Sequence, residues 1–406
     1  MRKRILAMLL GVSLVATALI GCGSGTKTNE ETQTGKETQG SEETQAGEEA
    51  QTSNESGEVK MARIGVLMFD YDGDQGRNVK AYCEELSKTM ELEFEFVQYE
   101  AGGSNHLDCV DELITQGVDG IITTFADSGM DVTMKACEDA EVYLAHYAAV
   151  PGKSDYDLLS ASQYYLGAIA DGNADYSTYG AKAAEVAVNA GLKHIGVAGF
   201  PFDAKPEMAE IEKGFRDTLA ELDSEVEVYD YHNVFFTADN GTDVYLSEHP
   251  EMDGFFGMGS GIFFNYPAIT EANKSREQKV TMLTCGIYTD DATKADFESG
   301  SIIFGTAAPI EGVIAPIVLM FDKINGNVYD DMPEKAPLMS SSNLYVTNAD
   351  ELDTFLESTC YGTPGKYLIS VEETKNMSKT YNADATFAEL ETSLVHLSLE
   401  EIAASN

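Results

Sequence analysis

The chain has 406 residues, 43% of them hydrophobic, and its 26 basic and 69 acidic residues give a formal net charge of -43. That length exceeds one ordinary core and suits two domains with appendages. The acidity excludes nucleic acid, which needs a clustered positive surface, and polybasic docking on anionic lipid.

Arg2, Lys3 and Arg4 form a basic start, followed by the apolar run ILAMLLGVSLVATALI and the box LIGC, Leu19 to Cys22. The run is short for a membrane span and reads as a targeting segment. Basic region, apolar region and box together resemble the lipobox of bacterial lipoproteins, which implies lipidation of Cys22 and a place outside the cytoplasmic membrane. Two or more acyl chains acting together anchor a protein firmly. Residues 23–60 hold nine Glu against three Lys and contain no aromatic residue, Leu or Ile. Such a segment buries too little to offset its ordering entropy; it is expected to be a disordered acidic tether spanning roughly 30–40 Å.

From Met61 onward, strand-length apolar runs alternate with helical spacing. ARIGVLMF, LEFEFVQY, VDGIITTF and EVYLAHY read as strands, and QGRNVKAYCEELSKTM, HLDCVDELITQG and DSGMDVTMKACEDA as helices between them. This predicts parallel β-α units. The pattern then repeats. KHIGVAGFPFD follows ARIGVLMFDYD, EVEVYDY (225–231) follows LEFEFVQ, and MDGFFGMGSG follows VDGIITTFADSG, each about 130 residues later. The chain therefore reads as two similar α/β domains in tandem. VTMLTCGIY, DDATKADFES, GSIIFGTAA and IEGVIAPIVLMFDKINGN are too few for a third domain and must be added to the first two. Pro316 should kink or delay the last of these helices. Beyond an extended crossing at SSSNLYVT, helices are expected at 349–358, 370–379, 385–397 and from Ser398, where SLEE makes a capping box with Glu401. Cys83, Cys109 and Cys137 fall in predicted helices and, with Cys285 and Cys360, read as free thiols rather than a disulfide framework.

Ligands of open parallel sheets bind beyond the carboxyl ends of the strands. Six loops lie there: FDYDGDQGRN (69–78), ADSG (126–129), HYAAVP (146–151), FPFDAKPE (200–207), GMGSG (257–261) and GIYTDD (286–291). Read from Asp70 as a calcium loop, the first has Gln75 where Gly is needed and Ala81 where Glu is needed. As a pocket lip, its carboxylates suit a hydroxyl-rich ligand. The candidate ligand-binding residues are Asp72, Asp74, Gln75, His146, Tyr147, Phe202, Asp203, Ser260 and Tyr288. GMGSG matches neither GxGxxG nor GxSxG, and no P-loop or HExxH occurs, so no cofactor, metal or catalytic residue is expected.

LITQGVDGIITTFADS, YYLGAIADGNADYSTYGAKAAEVAV, KHIGVAGF, EKGFRDTLAEL and HPEMDGFFGMGSG, in that order, resemble type I periplasmic-type solute-binding proteins, nearest the ribose/galactose-binding branch serving ABC importers. The resemblance covers roughly 62–330. It implies two doubly wound parallel-sheet lobes joined by three strands: an N-terminal lobe of 61–164 plus 308–338 and a C-terminal lobe of 165–307 plus 339–347. Residues 348–406 follow as a helical extension. It also implies a monomeric, lipid-anchored, non-enzymatic protein whose partners are a small polar, sugar-like ligand and an ABC permease. The usual sugar contacts are replaced: DGDQG stands where the family has an Asn-Pro-Phe-Phe-like loop, His146-Tyr147 where it has Asp-Arg, and Gly259-Ser260 where it has Asn-Asp. A sugar, nucleoside, polyol or signalling molecule as ligand, and a sensory role in place of transport, stay open.

Overall fold

The computed structural model describes residues 58–100, 102–127, 129–170, 176–203, 205–222, 224–234, 240–341, 343–395 and 398–404. The targeting segment, Cys22 and all but the last three residues of the expected tether lie outside these. Those last three are already part of the body: Val59 packs on a core cluster and Lys60 donates its N–H to Asn325 (2.8 Å).

In chain order, the first lobe is built from β1 (Ala62–Met68), α1 (Asp74–Leu86), β2 (Leu92–Gln98), α2 (His106–Gln116), β3 (Gly120–Thr123), α3 (Met130–Asp139), β4 (Tyr143–Tyr147), α4 (Lys153–Leu159) and β5 (Tyr165–Ala170). The second lobe follows with α5 (Ser177–Asn189), β6 (His194–Gly199), α6 (Glu207–Glu221), β7 (Glu227–Val228), β8 (His232–Asn233), α7 (Thr242–Glu248) and β9 (Gly254–Gly257). It continues through α8 (Gly261–Phe264), α9 (Tyr266–Asn273), β10 (Thr281–Thr284), α10 (Asp291–Ser299) and β11 (Ile302–Ala307). A 3₁₀ turn (Ile310–Val313) then leads to α11 (Ile314–Ile324), β12 (Leu338–Ser340), β13 (Leu344–Val346), α12 (Ala349–Ser358), α13 (Val371–Met377), α14 (Phe387–Val395) and α15 (Leu399–Ala404).

The two sheets have one topology. The first runs β12-β5-β4-β3-β1-β2 and the second β13-β11-β10-β9-β6-β7, with β8 also pairing with β6. The three repeated segments of the sequence occupy matching places, β1 and β6, β2 and β7, β3 and β9, and β4 and β10 also correspond. All pairings are parallel except β13, which runs antiparallel to β11. β1, β3, β5 and β6 are almost wholly buried because helices cover both faces, the reason they read as unbroken apolar runs.

Strand pairing moves the lobe boundaries. β5 hydrogen-bonds β4 within the first sheet, so the first crossing follows Ala170 rather than 164. Met339 and Ser340 pair with β5, so the third crossing lies between β12 and β13 rather than at 338. Of the expected strand over 225–231 only Glu227–Val228 pairs with β6, and the pairing resumes beyond it at His232–Asn233. The 3₁₀ turn precedes α11, and Pro316 sits in the helix's first turn, where its missing N–H costs nothing. Of the two expected outcomes, a kink or a delayed start, the structure shows the delayed start.

In the second lobe, α5 crosses α6 backbone to backbone. A Cβ on Gly180 would run into the carbonyl of Ile211, and one on Gly214 into that of Ser177. α5 also packs on β11. Cys83, Cys109, Cys137 and Cys360 are buried free thiols, and burial pushes the Cys137 thiol up to about 12.

Candidate ligand-binding crevice

The loops after β1 and β3 of the first lobe meet those after β10 and β6 of the second. Thr289 Oγ1 donates to Asp74 Oδ2. Lys205 Nζ donates to Asp127 Oδ1 at 2.5 Å, with both side chains partly buried. Each contact spans the two lobes at the carboxyl ends of their strands, where a guest would be held.

On the first lobe, the segment 69–76 folds tightly onto the start of α1. Asp70 Oδ1 accepts from the Asp72 N–H (2.8 Å), closing an Asx turn. A Cβ at Gly76 would strike the carbonyl of Asp70, so the turn needs glycine there. Arg77 donates to the Asp72 carbonyl and to Asp74 Oδ1. Asp72 is exposed, whereas Asp74 and Gln75, the first residues of α1, are half-buried. Gln75 Nε2 lies 3.4 Å from the buried Tyr147 hydroxyl, which joins the first loop to the end of β4. Among the described residues, no group of three or more His, Cys, Asp or Glu is arranged to hold a metal.

On the second lobe, Tyr231 donates its hydroxyl to the Phe200 carbonyl (2.8 Å) and packs its ring 4.4 Å from that of Phe202. Phe202 and Asp203 are exposed at the lip. Ser260 is exposed in the left-handed conformation (φ 52°) ahead of α8, beside the 60% exposed Phe263. Tyr288 is also exposed and adjoins Thr289. Asp290 is committed to capping α10, accepting from the Thr293 N–H (2.8 Å).

The structure thus brings Asp74 to the Tyr288–Thr289 loop and Gln75 to Tyr147. It does not bring His146 to the crevice. That ring is fully buried between Tyr165, whose hydroxyl is 3.0 Å from Nδ1, and Met130, whose sulfur is 3.4 Å from Nε2. The alternation of β4 turns it inward under α3. Burial, with His106 nearby, lowers its pKa to about 3, and burial lowers that of His106 to about 4. Both bases stay neutral in the folded chain while the unfolded chain takes up protons below about pH 6.5. Their folded values are depressed, so stability must fall as pH drops from 6.5, by about 2 kcal/mol for each histidine at pH 5. Urea titrations across this range should show that loss, and neither ring should titrate by NMR above pH 5.

Asp127, Lys205, Thr289 and Arg77 escaped the sequence reading as individuals, although each sits in or beside a loop it singled out. Near Lys205, burial raises the pKa of Glu207, a shift opposed by its own backbone N–H and by Lys205 and reinforced by Asp127.

The profile of the periplasmic binding protein domain matches residues 64–306. No curated protein matches the chain by sequence. Among solved structures, a solute-binding protein from Burkholderia graminis in complex with D-arabinose is similar at 18% identity and TM-score 0.55, over 71% of this chain and 96% of that one. One from Actinobacillus succinogenes with bound D-allose gives 14% identity and TM-score 0.57, over 72% and 99%. One from Bacillus halodurans with bound myo-inositol gives 15% and 0.55, over 74% and 98%. With more than half of its length matched and its two sheets in the same order, the chain belongs to the periplasmic binding protein domain family and has the type I fold of sugar ABC-transporter substrate-binding proteins.

Proposed function

We propose that this protein captures a sugar or sugar-like polyol between its lobes and hands it to an ABC importer, without making or breaking a bond. The observation that carries this reading is the pairing of Asp74 with Thr289 and of Asp127 with Lys205 across the crevice. Carboxylate, hydroxyl, ammonium and, at Gln75, amide groups converge from both lobes, the donor and acceptor mixture that neighbouring sugar hydroxyls satisfy. Exposed Phe202, Phe263 and Tyr288 add apolar faces for sugar C–H groups. The sugar and polyol ligands of the similar structures support this class. Diacylation at Cys22 holds the protein at the outer face of the cytoplasmic membrane, the acidic segment before residue 58 acting as tether.

A thermal-shift panel of aldopentoses, aldohexoses and inositols tests the reading. A ligand at 100 times its Kd adds about 2.7 kcal/mol of stability. Asp74→Ala and Gln75→Ala should each abolish the shift while moving the ligand-free melting temperature little. A panel without a hit, or a shift that survives both changes, would sink it.

A further inference from the structure

The C-terminal extension does not pack on one lobe. Leu352 and Phe355 of α12 join the core of the second lobe, and Lys294 of α10 pairs with Asp353 (2.6 Å). The chain then returns to the first lobe. On the way Tyr361 packs against both cores and donates its hydroxyl to Ala308 in the second crossing (3.0 Å). The Leu368 N–H reaches Oε1 of buried Glu311 in the 3₁₀ turn of that same crossing (2.9 Å). Tyr82 of α1 bonds the Ile369 carbonyl (3.1 Å) and Thr374 (2.6 Å), and Phe387, Leu390 and Leu394 of α14 enter the first lobe's core. Finally α15 goes back to the second lobe, where Ile402 is fully buried and the helix packs on α12.

Among the described residues, the extension therefore adds two crossings to the three between the sheets. The last is short. Val395 ends α14 and Leu399 begins α15, so their Cα atoms cannot separate by more than about 14 Å. Leu394 before this crossing and Ile402 after it are buried in different cores. One added crossing is fastened to the hinge segment 308–311, and the other lies next to β12 and β13, since α14 packs on β12 and α12 on β13. A body joined at one line can bend and twist; fastened at separated points along that line, it can only bend.

We propose that residues 359–404 are a strap that confines the lobes to one bending axis and a narrow range of opening. Part of the ordering cost of closing on a ligand is then already met in the ligand-free protein. The inference rests on capture between two lobes, but its test needs no ligand.

The full chain, labelled with a FRET pair through unnatural amino acids at the exposed positions 135 on α3 and 274 after α9, should give a single narrow distance distribution. Inserting ten Gly and Ser residues between 396 and 397 slackens the strap and leaves both docking faces intact. The distribution should then broaden toward longer distances. Ile402→Asp, which undocks α15, should broaden it likewise. Hydrogen exchange over 399–404 reports whether α15 stays docked. Unchanged distributions in both variants, whatever the state of α15, would overturn the strap, as would a wild-type distribution as broad as theirs. A chain that binds no sugar but broadens on slackening would sink the proposed ligand and keep the strap.

Discussion

Replacing Asp322 by alanine should lower the free energy of unfolding by about 4 kcal/mol and free the extension from the first lobe. Asp322, in α11, is 1% exposed. Its Oδ1 accepts from Ser378 Oγ (2.5 Å), the Thr380 N–H (2.9 Å) and Thr380 Oγ1 (2.7 Å), and its Oδ2 accepts from the Lys379 N–H (2.8 Å). Alanine takes the acceptor from two backbone donors and two hydroxyls, of which the Thr380 N–H keeps a long second bond to Ser378 Oγ (3.3 Å), and a buried donor left unpaired costs more than a made bond gains. Asparagine is a graded version. Its oxygen can serve the three donors on one side, but its NH₂ then meets the Lys379 N–H donor to donor, so a loss of about 2 kcal/mol is expected. Urea unfolding gives the energies, and hydrogen exchange over 371–395 should show early opening in the alanine variant. An alanine variant within 1 kcal/mol of wild type would show that 378–380 is held by other contacts.

Glu311→Gln should make the protein more stable at pH 8 than wild type, by up to about 3 kcal/mol, and nearly equal to it at pH 4. Glu311 is 3% exposed, and its Oε2 has no hydrogen-bond partner among the described residues. Burial raises its pKa to about 7, opposed by the Leu368 N–H and by its own backbone N–H. Tyr82 faces it from α1, and Cys360 and Tyr367 face it from the extension. The folded value lies above the unfolded one, so the folded chain holds the extra proton. Stability is thus full below about pH 4.5 and declines as pH rises to about 7. Glutamine keeps the acceptor for Leu368 and removes the ionisation. The difference between the two urea-derived curves isolates this one group from the histidines, whose effect runs in the opposite sense. Parallel curves between pH 4.5 and 7.5 would show that the carboxyl ionises at an ordinary value.

Most of the architecture was legible because covering a parallel sheet on both faces demands continuous apolar strands, and the duplication made each lobe a check on the other. The capping box at Ser398 was legible for a local reason: Ser398 and Glu401 bond reciprocally within one turn (2.9 and 3.1 Å). What failed was what a buried strand does not reveal. β5 is buried along its whole length, so nothing in YLGAIA says which sheet it joins. β4 is nearly as buried, so His146 and Tyr147 could not be assigned to faces; one enters the core under α3 and the other meets Gln75. Asp127 and Lys205 are 78 residues apart and meet only because two lobes are opposed. Loop carboxylates are abundant in so acidic a chain, and sequence alone does not say which one finds a cation.

The order of the sheets also bears on how the polypeptide reaches this form. Neither lobe is complete in one stretch: the first needs α11, β12 and α14, the last ending at residue 395, and the second needs β13, α12 and α15, the last ending at residue 404. A chain emerging from the ribosome amino end first therefore holds both sheets without their last strand until β12 and β13 arrive in succession. This order lengthens the loops that must close before the first sheet is complete, which slows folding. It leaves the edge of β5 open until β12 arrives, and with it an interval in which a partly built sheet must avoid pairing with its neighbours.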